Sequence, residues 1–181
     1  MESTVSHIIM SHRNNQGFSI PELMILTVII GILSSIAIPT FSDQMKRTEQ
    51  REAEATIAQL MTQVIAYSDE YGMQAEGWDD LDDVAAVMTD TGTANGTSFS
   101  NITLPGGNYT LEGSRSGNDY VFTANPKNKN SDSSPPAELE DAFTASSGFN
   151  VLGCINVSTG ASNIQTGDGR EAASTSDLTC P

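Results

Sequence analysis

Residues 17–39 read GFSIPELMILTVIIGILSSIAIP, and this stretch decides the architecture of the chain. Residues 18–38 are twenty-one in a row with a single ionisable group, Glu22. A helix rising ~1.5 Å per residue makes this run about 31 Å long. The hydrocarbon core of a bilayer is about 30 Å thick. Length and composition together predict a membrane-inserted helix. A secretory signal has an apolar core of only ~7–15 residues with a small-residue cleavage site behind it. Here the run is longer, and helix-forming sequence continues straight past it. The core helix of a soluble protein is shorter and carries its apolar residues on one stripe.

Glu22 is the informative exception. A carboxylate in lipid costs about 2.5–3.5 kcal/mol on insertion scales, so such groups usually have a partner. Either Glu22 sits at the interface and meets water, or it pairs with a cation supplied by another chain. Pro21 before it is compatible with a helix starting near Phe18, because the first four N–H groups of a helix have no intrahelical acceptor. Upstream, residues 1–17 are polar and include Arg13. A cut after Gly17 would make Phe18 the N-terminus and place its ammonium four residues from Glu22.

The run Gly17-Phe18-Ser19-Ile20-Pro21-Glu22, followed by unbroken apolar sequence, resembles the class III signal of type IV prepilins and their pseudopilin relatives. The resemblance is specific over residues 13–39. It implies that a prepilin peptidase cuts between Gly17 and Phe18, that Phe18 is methylated, and that residues 1–17 are a leader. It implies that Glu22 neutralises the Phe18 ammonium of a neighbouring subunit during assembly. Two such charges ~4 Å apart attract by several kcal/mol at an effective dielectric near 20. Pro39 falls where pilins often carry a helix-loosening proline, and it removes one backbone donor. Gly31 with Ser34 and Ser35 permits close helix approach. Pro21 departs from the aliphatic residue commoner at its position, which blurs the subfamily and not the family.

Outward from this segment, residues 40–71 lack Gly and Pro and extend the helix beyond the membrane. Charges mix from Asp43 to Glu54, with Asp43 and Arg47 at i,i+4. Then Ile57, Leu60, Met61, Val64, Tyr67 and Tyr71 recur at three- and four-residue spacing, a stripe expected to pack on a C-terminal domain. Gly72 reads as the stop. Counting Lys and Arg on the two flanks sets Arg13 against Lys46, Arg47 and Arg51, which would keep the C-terminal domain inside. The cysteines and the resemblance predict the opposite orientation, with an external head.

Residues 72–181 are expected to form an α+β head. Asp79, Asp80, Asp82 and Asp83 follow Trp78. They read as a solvated turn leading into a short helix over residues 81–88; calcium loops occur in some pseudopilins, but the EF-hand spacing is missing. Strand candidates are residues 98–104, 108–112, 119–124 and 149–157, with residues 113–117 as a Gly-rich hairpin connection. Residues 125–137 and the polar stretch after 157 read as loops. The whole expectation is a type IV pilin fold: a long N-terminal helix, membrane-spanning over 18–39 and extramembrane over 40–71, packed on a small antiparallel sheet.

Cys154 and Cys180 are 26 residues apart. No further His or Cys stands near them to complete a metal set, and no CxxC motif is present. A structural disulfide is the reading they support, in an oxidising compartment, and many type IV pilins close a C-terminal loop in this way. The four N-x-S/T sequons at Asn95, Asn101, Asn108 and Asn156 carry little weight in an Asn/Thr-rich chain.

Composition narrows the function classes. Eight basic residues against 23 acidic ones give a formal charge of −15. That balance argues against direct nucleic-acid binding, because phosphate contacts need Lys and Arg. The only histidines are His7 and His12, so a His-based triad in the C-terminal body is excluded, and no P-loop sequence exists. The expected function is a structural, non-enzymatic subunit with no cofactor or metal. Its partners are other pilins in a homo- or hetero-polymer, the prepilin peptidase and the inner-membrane assembly machinery. It would be a single-pass inner-membrane precursor with a periplasmic head, then part of an extracellular fibre serving motility, adhesion or DNA uptake. The alternatives are a pseudopilin of a type II secretion system and a membrane-anchored binding protein that never polymerises.

Overall fold

The computed structural model describes residues 18–127 and 148–180. Helix α1, Ile20–Tyr71, is 52 residues long and belongs to two compact units, Met1–Ser42 and Asp43–Pro181. The expected leader 1–17, and residues 128–137 of the expected loop, lie outside the described residues.

In the first unit, α1 exposes nearly every apolar side chain it carries, among them Leu23, Ile25, Val28, Ile32, Leu33, Ile36 and Phe41. It is the one described helix long and apolar enough to cross a membrane. The helix runs unbroken through Pro39. Pro39 has no N–H to offer the Ser35 carbonyl. One residue on, the Thr40 hydroxyl donates to the Ile36 carbonyl at 2.5 Å.

In the second unit, five strands form an antiparallel meander in the order β3-β4-β5-β6-β7. They are β3 (Ile102–Thr103), β4 (Tyr109–Ser116), β5 (Asp119–Pro126), β6 (Val151–Asn156) and β7 (Ser162–Thr166). A two-stranded ribbon, β1 (Met88–Thr89) with β2 (Gly92–Thr93), precedes them, and the short helix α2 (Trp78–Asp82) precedes the ribbon.

Register sets which residues face α1. One row across the sheet reads Gly113, Phe122, Gly153, Ile164, and the row beside it Leu111, Ala124, Val151. The two glycines flank the Phe122 ring and leave room for what packs above them. A Cβ on Gly153 would overlap the Ile57 Cγ2 methyl of α1, and one on Gly113 would lie 2.8 Å from Phe99 Cβ. Glycine therefore lets the helix backbone sit close to the sheet. The helical stripe Ile57, Leu60, Met61, Val64 and Tyr67 is buried in this core. Tyr71 is not: it is 44% exposed and only lies against the Tyr67 ring at 4.7 Å. The helix ends where Gly72 takes φ +65° and its N–H reaches the Ser68 carbonyl, a conformation glycine adopts at little strain.

Trp78 is fully buried; its Nε1–H donates to the Ser100 carbonyl at 2.8 Å, and its ring meets Phe99 edge-on at 5.1 Å. That anchor moves the short helix forward from the expected 81–88 to Trp78–Asp82. The 119–124 and 149–157 strands are found, each within two or three residues of its expected ends. Two corrections concern the sheet. Strand β4 continues through the stretch expected as a turn, because Gly113 packs on Phe99, and the reversal comes at Gly117 with φ +62°. Residues 162–166, expected as loop, form β7 against β6.

Candidate assembly segment and the head that carries it

At the start of α1 the first turn is closed by its own side chains. The Ser19 N–H and the Ser19 hydroxyl both donate to Glu22 Oε2, at 2.8 and 2.6 Å. This is the Glu half of a Ser-x-x-Glu capping box, the carboxylate reaching back to the Ser19 N–H, with the Ser19 hydroxyl bonded to the same carboxylate and that carboxylate at the positive end of the helix dipole. Pro21 fits the first turn because its missing N–H has no helical acceptor there. Phe18 is 77% exposed beside it. Gly17 lies outside the described residues. Ser19 is not among the residues singled out from the sequence, although its three-residue spacing to Glu22 is itself a signal of this contact.

The structure thus brings Phe18, Ser19 and Glu22 together on one turn. Pro39 stands separately, near the end of the apolar run. Both Ser19 bonds fall on a single carboxylate oxygen, and Oε1 of Glu22 has no partner among the described residues.

In the head, Cys154 on β6 and Cys180 are joined by a disulfide with a Cα–Cα distance of 6.0 Å. Side chains hold the same C-terminal segment along its length. Asn150 grips Ala173 at two points: Oδ1 accepts its N–H at 2.7 Å and Nδ2 donates to its carbonyl at 2.9 Å. Asn163 and Gln165 of β7 donate to the carbonyls of Thr179 and Asp177. Asp168 accepts the N–H groups of Arg170 and Glu171, and the backbone bonds from Glu171 and Arg170 draw its carboxyl below the usual range. On the helix side, buried Gln50 donates to the Gly167 carbonyl at 2.8 Å.

The acidic turn has local duties. Asp79 Oδ1 accepts the Gly96 N–H at 2.8 Å and Asp80 Oδ2 accepts the Glu76 N–H at 2.6 Å. Among the described residues no three His, Cys, Asp or Glu side chains converge as a metal set. Tyr109 donates its hydroxyl to the Phe149 carbonyl at 2.8 Å. Burial, reinforced by the nearby Glu49 charge, pushes that hydroxyl up to about 12.

No family model matches the chain, and no solved structure matches it. Among curated proteins, it is 48% identical over 48 residues to the type IV major pilin protein PilA of Myxococcus xanthus, covering 26% of this chain and 22% of that protein. It is 45% identical over 47 residues to a fimbrial protein of Pseudomonas aeruginosa, covering 26% and 30%. It is 29% identical over 94 residues to fimbrial protein Q of Moraxella bovis, covering 51% and 60%. The matches therefore span less than two thirds of each relative. Over these stretches, and in its long apolar helix, the antiparallel sheet packed on its continuation and the disulfide near the C-terminus, the chain is similar to type IV pilins and fimbrial proteins.

Proposed function

We propose that this chain is a precursor subunit that is cut between Gly17 and Phe18, methylated on Phe18, and polymerised through residues 18–39 into a type IV pilus fibre. The observation that carries this reading is the apolar face of α1 left exposed all round, with one carboxylate on its first turn. Such a surface needs lipid before assembly and other helices after it, since apolar area left in water is strongly unfavourable.

The first turn supports the assembly step. Ser19 occupies Oε2 of Glu22 and orients the carboxylate. Oε1 then remains to accept the Phe18 ammonium of a neighbour. Away from water this pairing fixes one axial register, because any other register leaves a charge unpaired in an apolar bundle. The disulfide-tied head supports an oxidising location, with the C-terminal unit on the outer side of the membrane. It also favours a pilin over a pseudopilin of a secretion system.

Mass spectrometry of the protein recovered from its native envelope tests the processing step. A chain beginning at methylated Phe18 is expected; one beginning upstream of Gly17 refutes the proposal. Replacing Glu22 with Ala tests assembly: membrane insertion persists and sheared fibres disappear. Fibres at wild-type yield would leave only a membrane anchor.

A further inference from the structure

The chain has a single Asn-Gly pair, Asn95–Gly96, in the loop between the ribbon and β3. In such a pair the asparagine side chain meets little steric resistance from the next residue, because glycine has no Cβ to crowd the approach. The two residues are held very differently. Asp79 grips Gly96 at two points: Asp79 Oδ1 accepts its N–H at 2.8 Å, and the Asp79 N–H donates to its carbonyl at 3.1 Å. A Cβ on Gly77 would overlap the backbone of residues 96–98, so this grip sits on close-packed chain. Gly96 takes φ +137°, a conformation open to glycine. Asn95 is exposed, and no described residue hydrogen-bonds to its side chain or its backbone.

A fixed nitrogen and a fixed base thus stand next to a free electrophile. Asp79 follows fully buried Trp78 at the start of α2, and Trp78 is anchored on Phe99 and the Ser100 carbonyl. The Asp79 carboxylate lies within the reach of about 2.6–3.2 Å that proton abstraction needs. The Gly96 N–H lies in the peptide plane, while the π electrons of the nitrogen stand above and below it. The proton can therefore leave toward Asp79 while Asn95 Cγ approaches from above or below the plane. The Asp168–Gly169 pair is the contrast. Its carboxylate is tied by the N–H groups of Arg170 and Glu171, which hold it away from such an approach.

We propose that Asn95–Gly96 is a self-modification site, where Asp79 is the general base for conversion of Asn95 to aspartate and isoaspartate. The Gly96 nitrogen bonds to Asn95 Cγ, and its proton passes to Asp79 Oδ1. The Cγ–Nδ2 bond then breaks, the proton passes from Asp79 to Nδ2, and ammonia leaves behind a five-membered succinimide. Water opens that ring. Cleavage at Cγ leaves aspartate; cleavage at the main-chain carbonyl leaves isoaspartate, with one extra methylene in the backbone. The sum is asparagine plus water giving acid plus ammonia, with Asp79 unchanged. Either product adds a negative charge to a chain already at −15, and the new carboxylate repels Asp79. The grip on Gly96 therefore loosens as the protein ages. The site is independent of the fibre reading above.

The test follows the detergent-solubilised full chain during storage at physiological temperature. Peptide mass mapping reads the amide-to-acid change at Asn95, and electron-transfer fragmentation separates aspartate from isoaspartate. Both products are expected, and faster at Asn95 than at any other described asparagine. A base held in the protein makes the rate nearly flat between about pH 6 and 8, whereas ring closure driven by hydroxide rises about tenfold per pH unit. Asp79→Asn keeps an acceptor oxygen for the Gly96 N–H but is no base, and its rate near neutral pH should fall about tenfold or more. Melting equal to wild type controls for folding of that variant. Should it loosen the loop, the wild-type pH slope still decides, since it needs no substitution. An Asn95 that stays intact, a wild-type rate that climbs about tenfold per pH unit, or a well-folded Asp79→Asn chain reacting at the wild-type rate overturns the proposal.

Discussion

Replacing Gly153 with Ala should lift α1 from the sheet. The new Cβ would overlap Ile57 Cγ2, and it would stand 3.4 Å from Met61 Sδ and 3.7 Å from Ile164 Cγ1. Ile57 cannot swing aside easily. It is fully buried, and a β-branched side chain in a helix holds essentially one rotamer. Overpacking of this kind costs about 1–3 kcal/mol. Ala regains roughly 0.5–1 kcal/mol over Gly in a strand. The net destabilisation is therefore about 1–2 kcal/mol, which for a unit of this size lowers Tm by about 3–6 °C. Calorimetry of the detergent-solubilised full chain reads it. The mechanism makes a sharper demand through Ile57→Ala. Alone, that change opens a cavity and costs about 2–5 kcal/mol. In the Gly153→Ala background the two should fall short of additivity by about 1 kcal/mol or more, because the clashing methyl is gone. A Gly153→Ala chain that melts at or above wild type, or strict additivity with Ile57→Ala, would refute the close-approach argument.

Three further outcomes are expected. Changing Cys154 and Cys180 together to Ser should lower urea-unfolding stability by about 3–4 kcal/mol, the chain-entropy value for a loop of this length; a loss under about 1 kcal/mol would mean that the side-chain ties to residues 173–179 suffice. Tyr109 stays protonated in the fold up to about pH 12, whereas an unfolded tyrosine ionises near 10. Its contribution is complete below pH ~10 and is lost as pH rises through the folded value, at up to roughly 1.4 kcal/mol per pH unit. Tyr109→Phe should flatten that alkaline limb in pH-dependent melts, and an unchanged limb contradicts the assignment. Asn150→Leu removes both bonds to Ala173. It should cost about 1–3 kcal/mol and speed amide exchange over residues 172–179 before the rest of the head.

The helix was legible because its signals are local. An apolar run of membrane length and a three-and-four spacing from Ile57 to Tyr67 need no knowledge of distant residues. Strand β7 was not legible, since Ser-Asn-Ile-Gln-Thr has one apolar residue, and only pairing with β6 makes it a strand. Gly113 misled for a related reason. Glycine there answers to Phe99 and Phe122 above it, a tertiary demand that mimics a turn signal. Trp78 likewise shifted α2 through a bond to Ser100, far along the chain. At the first turn the Ser19–Glu22 spacing is a local signal of the contact that forms there. The Gly153–Ile57 fit, in contrast, depends on register between two elements and leaves no local trace.

The lone tryptophan has a practical consequence. Trp78 is shut away from solvent among Phe99 and Phe122, in the Asp43–Pro181 unit. Its fluorescence therefore reports on that unit alone. Emission should lie toward the blue while the head is intact and move to the red on melting, with no contribution from the lipid-seeking segment. Head unfolding can thus be followed optically in micelles, vesicles or assembled fibres, without any attached dye.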